Sequence, residues 1–461
     1  MKKILMIAAI VCCTLNTAAR ANLPEGARKI LETVHAPEFR DAEYSILDFG
    51  ASADTTVDSR KAVNDAITRC SDEGGGRVTI PAGEYRVDGP IVLKSNVNLH
   101  LAEGAVIRFS ENPRHYLPAV LTVWEGTEMF NYSPLVYAYH CNNVALTGKG
   151  TLDGGAKNTF AKFRPQRSEM QSSLRQMGID QVPVHERYFG EASIFPPSMV
   201  QPLGCKNVLI EGVTILDSPY WVIHPVYCDN VIVRGVTIDS WNLNNDGCDP
   251  EYTTNVLIED CTFTTGDDAI AIKAGRDQDA WRIGQKTANI VIRNCRFKSR
   301  CNGLCIGSEM AAGVENVYMY DVVIDRCYSG IYFKSNLDRG GFIRNVWVDN
   351  VVCDFVKTAF IRFETDYHGA RGGFHPTVFE NFLIRNVTGN KSAECGFYAV
   401  GIEGYPMRNI YLENVELKEA PIPYLLKNVE NVTFENVTIN GKRMDRNPAA
   451  TNDSVLKLKT D

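Results

Sequence analysis

The sequence predicts an all-β fold, a single-domain right-handed parallel β-helix with a short N-terminal capping helix. Three observations predict it. A nine-residue line recurs through most of the chain at variable spacing. Each copy alternates apolar and polar residues as a strand does. A second, shorter apolar strand follows several copies.

The line starts with asparagine: NVLIEGVTI from Asn207, NVIVRGVTI from Asn230, NVLIEDCTF from Asn255, then further copies from Asn289, Asn316, Asn345, Asn381, Asn409 and Asn431. The first three starts are 23 and 25 residues apart, and later gaps reach 36. A constant line with variable gaps is one strand per turn of a coil, with loops of free length at the corners. Six residues after the asparagine stands Val in most copies and Cys in two, Cys261 and Cys295. These two thiols are expected as small apolar residues in a stacked core. The asparagines are expected to form an amide ladder. The second strands are DAIAIKAG, NGLCIGSE, GIYFKSN and AFIRFET. Such strands cannot bury their faces alone, so the rungs must stack, at about 4.8 Å.

Upstream, Ser59 to Cys70 sets Ala62, Val63, Ala66 and Ile67 on one side and is followed by Gly74-Gly75-Gly76. This is the capping helix, suited to covering the first open rung. Residues 158–197 interrupt the repeat and carry Arg164, Arg167, Arg175 and Arg187 among aromatic residues. They are expected as a loop packed over one side of the coil. Asn386-Val387-Thr388 and Asn431-Val432-Thr433 resemble glycosylation sequons but fall inside expected strands.

The expected division is a signal peptide at 1–21, a leader at 22–43, the coil at 44–445 and a tail at 446–461. Lys2 and Lys3, the apolar run Ile4 to Leu15 and the small-x-small site Ala19-Arg20-Ala21 make up the signal. Export to the periplasm or beyond is therefore expected. Lipoprotein anchoring at Cys12 or Cys13 ranks second, because Ile10 and Val11 fit a lipid-attachment box badly. No other run is long and apolar enough to span a membrane. Of 48 basic residues, removing Lys2, Lys3 and Arg20 leaves 45 against 55 acidic, a charge of −10. That charge speaks against nucleic acid as a partner. No Cys-x-x-Cys occurs, so no zinc, other metal or cofactor is expected, and a monomer is expected. The remaining cysteines of an exported chain are free to pair, although the repeat register assigns several to the core.

Asp246, in NNDGCDP, precedes Gly266-Asp267-Asp268 by about one coil. Three carboxylates then gather at one corner of neighbouring rungs. Crowded acids raise at least one pKa, which gives a proton donor beside ionised acceptors. Hydrolysis of a glycosidic bond uses that equipment. A calcium site or a solvated acidic turn fits the same spacing equally well.

From about Tyr44 to Ile439 the chain resembles glycoside hydrolase family 28, the polygalacturonase family of pectin-degrading enzymes. The motifs that carry the resemblance are Asn244-Asn245-Asp246-Gly247, Gly266-Asp267-Asp268, Cys301-Asn302-Gly303-Leu304-Cys305-Ile306-Gly307-Ser308 and Tyr332-Phe333-Lys334, in that order on the repeat. The resemblance implies inversion, with Asp267 as general acid and Asp246 and Asp268 positioning and deprotonating water. It also implies that Lys334 binds a substrate carboxylate, and that the partner is an acidic plant cell-wall polysaccharide or oligosaccharide.

Two positions depart from the family pattern. Its histidine is Asn302 here, which cannot titrate but can hold a sugar hydroxyl or an Asp. Its arginine is Tyr332, which can stack on a sugar. Strand register puts Arg362 outward one rung after Tyr332, where it is expected either to restore the missing guanidinium or to pair with Glu364. Lys273, Arg276, Lys334, Arg339 and Arg362 are expected to line the basic groove that an acidic enzyme needs for an acidic polymer. Trp241, Trp281, Tyr332 and Tyr367 are candidate sugar platforms. The expected activity is that of an exo-acting polygalacturonase, with the 158–197 insertion closing one end of the groove. Rhamnogalacturonan hydrolysis within the same family is the alternative. A pectate-lyase-type enzyme and a non-catalytic glycan-binding coil rank below both.

Overall fold

The computed structural model describes residues 23–369 and 371–451. The expected signal peptide and most of the C-terminal tail lie outside the described residues. The fold is a right-handed parallel β-helix. A 20-stranded sheet collects the recurring lines. A six-stranded parallel sheet collects the second strands: β1 (Ile270–Ile272), β2 (Asn302–Ile306), β3 (Ser329–Lys334), β4 (Ala359–Glu364), β5 (Cys395–Val400) and β6 (Ile422–Lys427).

The asparagines turn the chain and lock its register. Asn207, Asn230, Asn289 and Asn316 have φ of 57°, 58°, 62° and 58°, in the left-handed region that Asn tolerates better than most residues. Each side-chain amide donates to the rung before: Asn230 to Asn207 at 2.8 Å, Asn316 to Asn289 at 3.1 Å and Asn345 to Asn316 at 3.2 Å. One rung differs, where Asn255 donates to Asp229 Oδ1 at 2.8 Å. Behind this ladder Cys295, Val322, Val351, Val387, Val415 and Val437 pair in succession and are all buried. Cys261 and Cys295 are core thiols as expected, and no disulfide occurs among the described residues.

The six-stranded sheet sets the site. Ile270, Leu304, Ile331 and Ile361 align across β1 to β4 and point into the core. The intervening column, Ala271, Cys305, Tyr332 and Arg362, points the other way. Two residues on, Lys273 and Lys334 share that outward parity.

Among the described residues, four α-helices flank the coil: α1 (Glu25–Thr33), α2 (Arg60–Asp72), α3 (Ser168–Ile179) and α4 (Asp277–Ile283). None is long and apolar enough to cross a membrane. Helix α2 buries Ala62, Val63, Ala66 and Ile67 against the first rungs, as its pattern predicts. Helix α1 lies within the expected leader, 22–43, and packs on the coil. Leu23, Ala27, Ile30 and Val34 pack on Ala145, Leu209, Ile232, Leu257 and Val291, the outward residues of five consecutive rungs. Their spacing of four, three and four is a helical stripe, and the flank it covers would otherwise be an exposed apolar patch.

Asn316 tests the ladder. Asn316→Ala removes two ladder bonds and leaves in the left-handed region a residue without the polar side chain that lets Asn tolerate it, for an expected loss of about 2 kcal/mol. Asn316→Gly keeps the turn and should lose about 1 kcal/mol. Chemical unfolding midpoints measure both. A Gly variant no more stable than the Ala variant would show that the turn conformation contributes nothing.

Candidate active site

Asp246, Asp267 and Asp268 line one cavity of about 630 Å³. Ten basic and five acidic side chains line it in all, so a chain of net charge −7 carries a locally positive cavity. The acids stand at or before the N-terminal end of β1. Lys273, Arg276, Ser308, Glu309, Lys334 and Arg339 come from the C-terminal ends of β1 to β3 and the loops beyond.

Local sequence builds the acidic corner. The buried Asn245 amide donates to the carbonyls of Ser218 at 3.0 Å and Tyr220 at 2.9 Å and accepts from Ser240 Oγ at 2.7 Å, which pins the turn presenting Asp246. Before Asp267, a β-carbon on Gly266 would lie 1.9 Å from the Asn242 carbonyl oxygen, so only glycine lets the rungs close there. The hydroxyls of Ser299 and Thr265 then donate to the Asp267 carbonyl.

The three carboxyls have different surroundings. Asp268 is 1% exposed. It accepts hydrogen bonds from the backbone and side-chain amides of Asn302 and from Lys334 Nζ at 3.1 Å. Every partner donates, so Asp268 is held as an acceptor. The Asp267 pKa is raised by burial and then by Asp268, against the pull of Lys334 and Lys273. The Asp246 pKa is raised well above the usual range by burial, then by Asp249 and Asp267. Lys273 Nζ stands 3.8 Å from Asp246 Oδ2 and 3.2 Å from Glu309, and 4.4 Å from the Trp221 ring centroid. Burial opposes its charge, but Glu309, Asp246 and Asp249 outweigh burial and raise its pKa well above the usual value. Asp267 is thus a protonatable group beside a fixed acceptor, an acid–base arrangement.

The two other readings of this corner fit less well. Asp246 and Asp268 are buried, unlike a solvated turn. Asp267, Asp268 and Cys301 bring ligand atoms within 4.8 Å of one another. However, a thiol suits calcium poorly, and ammonium groups already face Asp246 and Asp268.

Lys273, Lys334 and Arg339 line the cavity as expected, as does Arg276. Asn302, Tyr332 and Arg362 are buried and do not line it. Asn302 is spent on Asp268, and its Oδ1 accepts the Ser329 backbone amide at 3.2 Å. The Tyr332 hydroxyl donates to Glu364, and Arg362 pairs with the same carboxylate at 2.9 Å, so Arg362 follows the pairing alternative. Of the candidate platforms, Tyr367 lines the cavity and Trp241, Trp281 and Tyr332 do not.

Sequence reasoning missed Glu125, in the hairpin of Val120–Trp124 and Thr127–Asn131. Its carboxylate accepts from Gln171 at 2.6 Å, Arg175 at 2.6 Å, the Tyr220 hydroxyl at 3.0 Å and Arg276 at 3.4 Å. Burial opposes that charge, but Arg175, Arg276 and Arg167 lower its pKa to about 2. Glu125 therefore fastens the 158–197 insertion, through α3, to the coil as one wall of the cavity. Arg187 fastens the other end of the insertion by a buried pair with Asp279 of α4 at 2.9 Å. No sequence signal marks Glu125. Glu309, the last residue of NGLCIGSE, and Trp221 were likewise not singled out.

Residues 191–437 match the model of Glycosyl hydrolases family 28. Residues 44–102 match a second model, Rhamnogalacturonase A/epimerase, pectate lyase-like. The chain is 27% identical to a probable polygalacturonase of Vitis vinifera, over 88% of this chain and 81% of that one. It is 25% identical to an exo-poly-alpha-D-galacturonosidase of Dickeya chrysanthemi, over 88% and 72%. A solved structure, the hyperthermoactive exopolygalacturonase from Thermotoga maritima, superposes with a TM-score of 0.88 at 38% identity, covering 91% of this chain and 96% of that one.

Protonated Asp267 is the active form of a general acid, so activity is kept below its raised pKa and lost as pH rises through it. The alkaline limb of kcat/KM should lie above the value of about 4 of an ordinary Asp. A limb at or below that value would contradict the assignment. Lys334 lowers the Asp267 pKa, so Lys334→Met should move the limb to higher pH. The same variant should cut kcat roughly a hundredfold by leaving Asp268 without its ammonium.

Proposed function

The chain belongs to glycosyl hydrolase family 28, and from that premise we propose that it is an exo-acting polygalacturonase, hydrolysing the terminal galacturonic acid link of a pectic chain with inversion. One observation carries this reading: the three carboxyls face a basic cavity that the 158–197 insertion walls off. Asp267 protonates the leaving glycosidic oxygen. Asp268 takes the proton of a water that Asp246 helps to hold as that water attacks the anomeric carbon from the opposite side of the ring. Lys273, Lys334 and the arginines answer the uronate carboxylates, which the overall field of the chain would repel. The wall of Arg167, Gln171 and Arg175 stops the sugar chain from running through, which favours release of terminal units.

Rhamnogalacturonan hydrolysis stays as the second outcome of the test. The match at residues 44–102 covers the cap and no cavity carboxylate, so it does not favour that substrate. Export rests on the signal-like N-terminus, and action as a monomer rests on a site built within one chain; both belong to the proposal.

Product analysis on homogalacturonan and rhamnogalacturonan, side by side, tests it. Monomeric galacturonic acid should appear from homogalacturonan with little early fall in viscosity, without an unsaturated ultraviolet-absorbing product, and with chelator present. Asp267→Asn should abolish release. An early viscosity drop would refute exo action, and release from rhamnogalacturonan alone would refute the substrate.

A further inference from the structure

The inserted segment touches the acid as well as closing the cavity. Arg167 is 6% exposed, its guanidinium carbon 5.1 Å from the Trp124 ring centroid and 5.4 Å from that of Tyr220. It donates to Asn244 Oδ1 at 2.6 Å. Asn244 Nδ2 in turn donates to Asp267 Oδ2 at 3.4 Å. We propose that Arg167 and Asn244 are a pair of positioning residues that orient the Asp267 carboxyl, so that the segment closing the cavity also sets the acid. This rests on the reading of Asp267 as proton donor.

An arginine only donates, whereas an amide has one accepting and one donating end. Arg167 therefore compels Asn244 to turn its oxygen toward the insertion and its NH₂ toward Asp267. The two aromatic rings restrain Arg167, and a backbone φ of 59° fixes the direction in which Asn244 leaves the chain. The other side chains facing Asp267 are charged or titratable: Asp246 and Asp249 from the rung before, Asp268 beside it, Lys273 on its own rung, Cys301 from the next rung and Lys334 beyond, while the Asp268 backbone amide donates to Oδ1 at 3.0 Å. Among the described residues, Asn244 is the neutral donor to Oδ2. Glu125, 4.0 Å from Arg167, ties the pair to the wall.

Without Arg167 the amide is free to present its oxygen to Asp267, which favours the protonated carboxyl. Loss of a nearby positive charge acts in the same direction. A residue that only shapes the wall would change KM or product length and leave the alkaline limb in place.

The test is a double-mutant cycle with Arg167→Met, Asn244→Gly and the double variant, assayed on a short oligogalacturonide with thermal melts as folding control. Glycine keeps the left-handed turn at 244. Each single variant should lower kcat roughly tenfold, as for one lost hydrogen bond to a charged group, with little change in KM. Each should also move the alkaline limb to higher pH. The double variant should be no worse than the worse single one. Independent, multiplicative losses or an unmoved limb would overturn the pair while leaving the proposed function standing. A wild type that releases no galacturonic acid would overturn both. If Arg167→Met does not fold, Arg167→Gln takes its place in the same cycle.

Discussion

A parallel coil gives no strand a partner within its own turn, and the rest of the molecule follows from that constraint. The backbone hydrogen bonds of the coil's strands are satisfied by the rung before and the rung after, and inward apolar side chains stack along the same direction. Register is therefore the quantity the sequence must specify most strictly, because a slip of one residue would turn the Ile270–Leu304–Ile331 column outward. The asparagine amides and the Val and Cys column specify it together. The same constraint makes functional distances discrete: Asp246 meets Asp267 because their turns lie on successive rungs.

The second condition is charge compensation. Ten basic groups around one cavity would repel each other without Glu125 and Glu309 among them. Burial opposes the Glu309 charge, yet Lys273, Arg276 and Arg339 hold its pKa well below the usual carboxylate range. Such buried pairs add little net stability compared with apolar packing, but removing one member strands its partner. The network thus fixes the geometry of a positive cavity more than it stabilises the fold, and an acidic chain can receive an acidic polymer at that one place.

What was legible in the sequence was what neighbouring rungs decide. The ladder, the thiols at Val positions, the capping helix and the carboxyl trio all follow from spacing along the repeat. Parity also put Arg362 outward beside Tyr332. It did not show that Glu364, two residues along the same strand, would take both side chains. Asn302 was readable as a holder of either a sugar or an aspartate, and only packing against Asp268 decides between them. Glu125 was not legible, since it meets Arg276, 151 positions away, through a hairpin that belongs to no repeat. Helix α1 had a readable stripe, but nothing in a repeat of strands says that one flank of the coil needs a cover.

The cysteines bear on how the molecule wears out. Eleven of the twelve among the described residues are buried. Several rest their sulfur on the carbonyl two residues earlier, as Cys228 does on Val226 at 3.3 Å and Cys295 on Arg293 at 3.2 Å. Intact rungs shield these buried thiols from oxidants. Once a stretch of coil opens, thiols spaced along the whole chain are released together and pair in combinations that no rung accommodates. Under oxidising conditions unfolding is then a one-way event, and the working measure of durability is the half-life of the closed stack, not an equilibrium free energy.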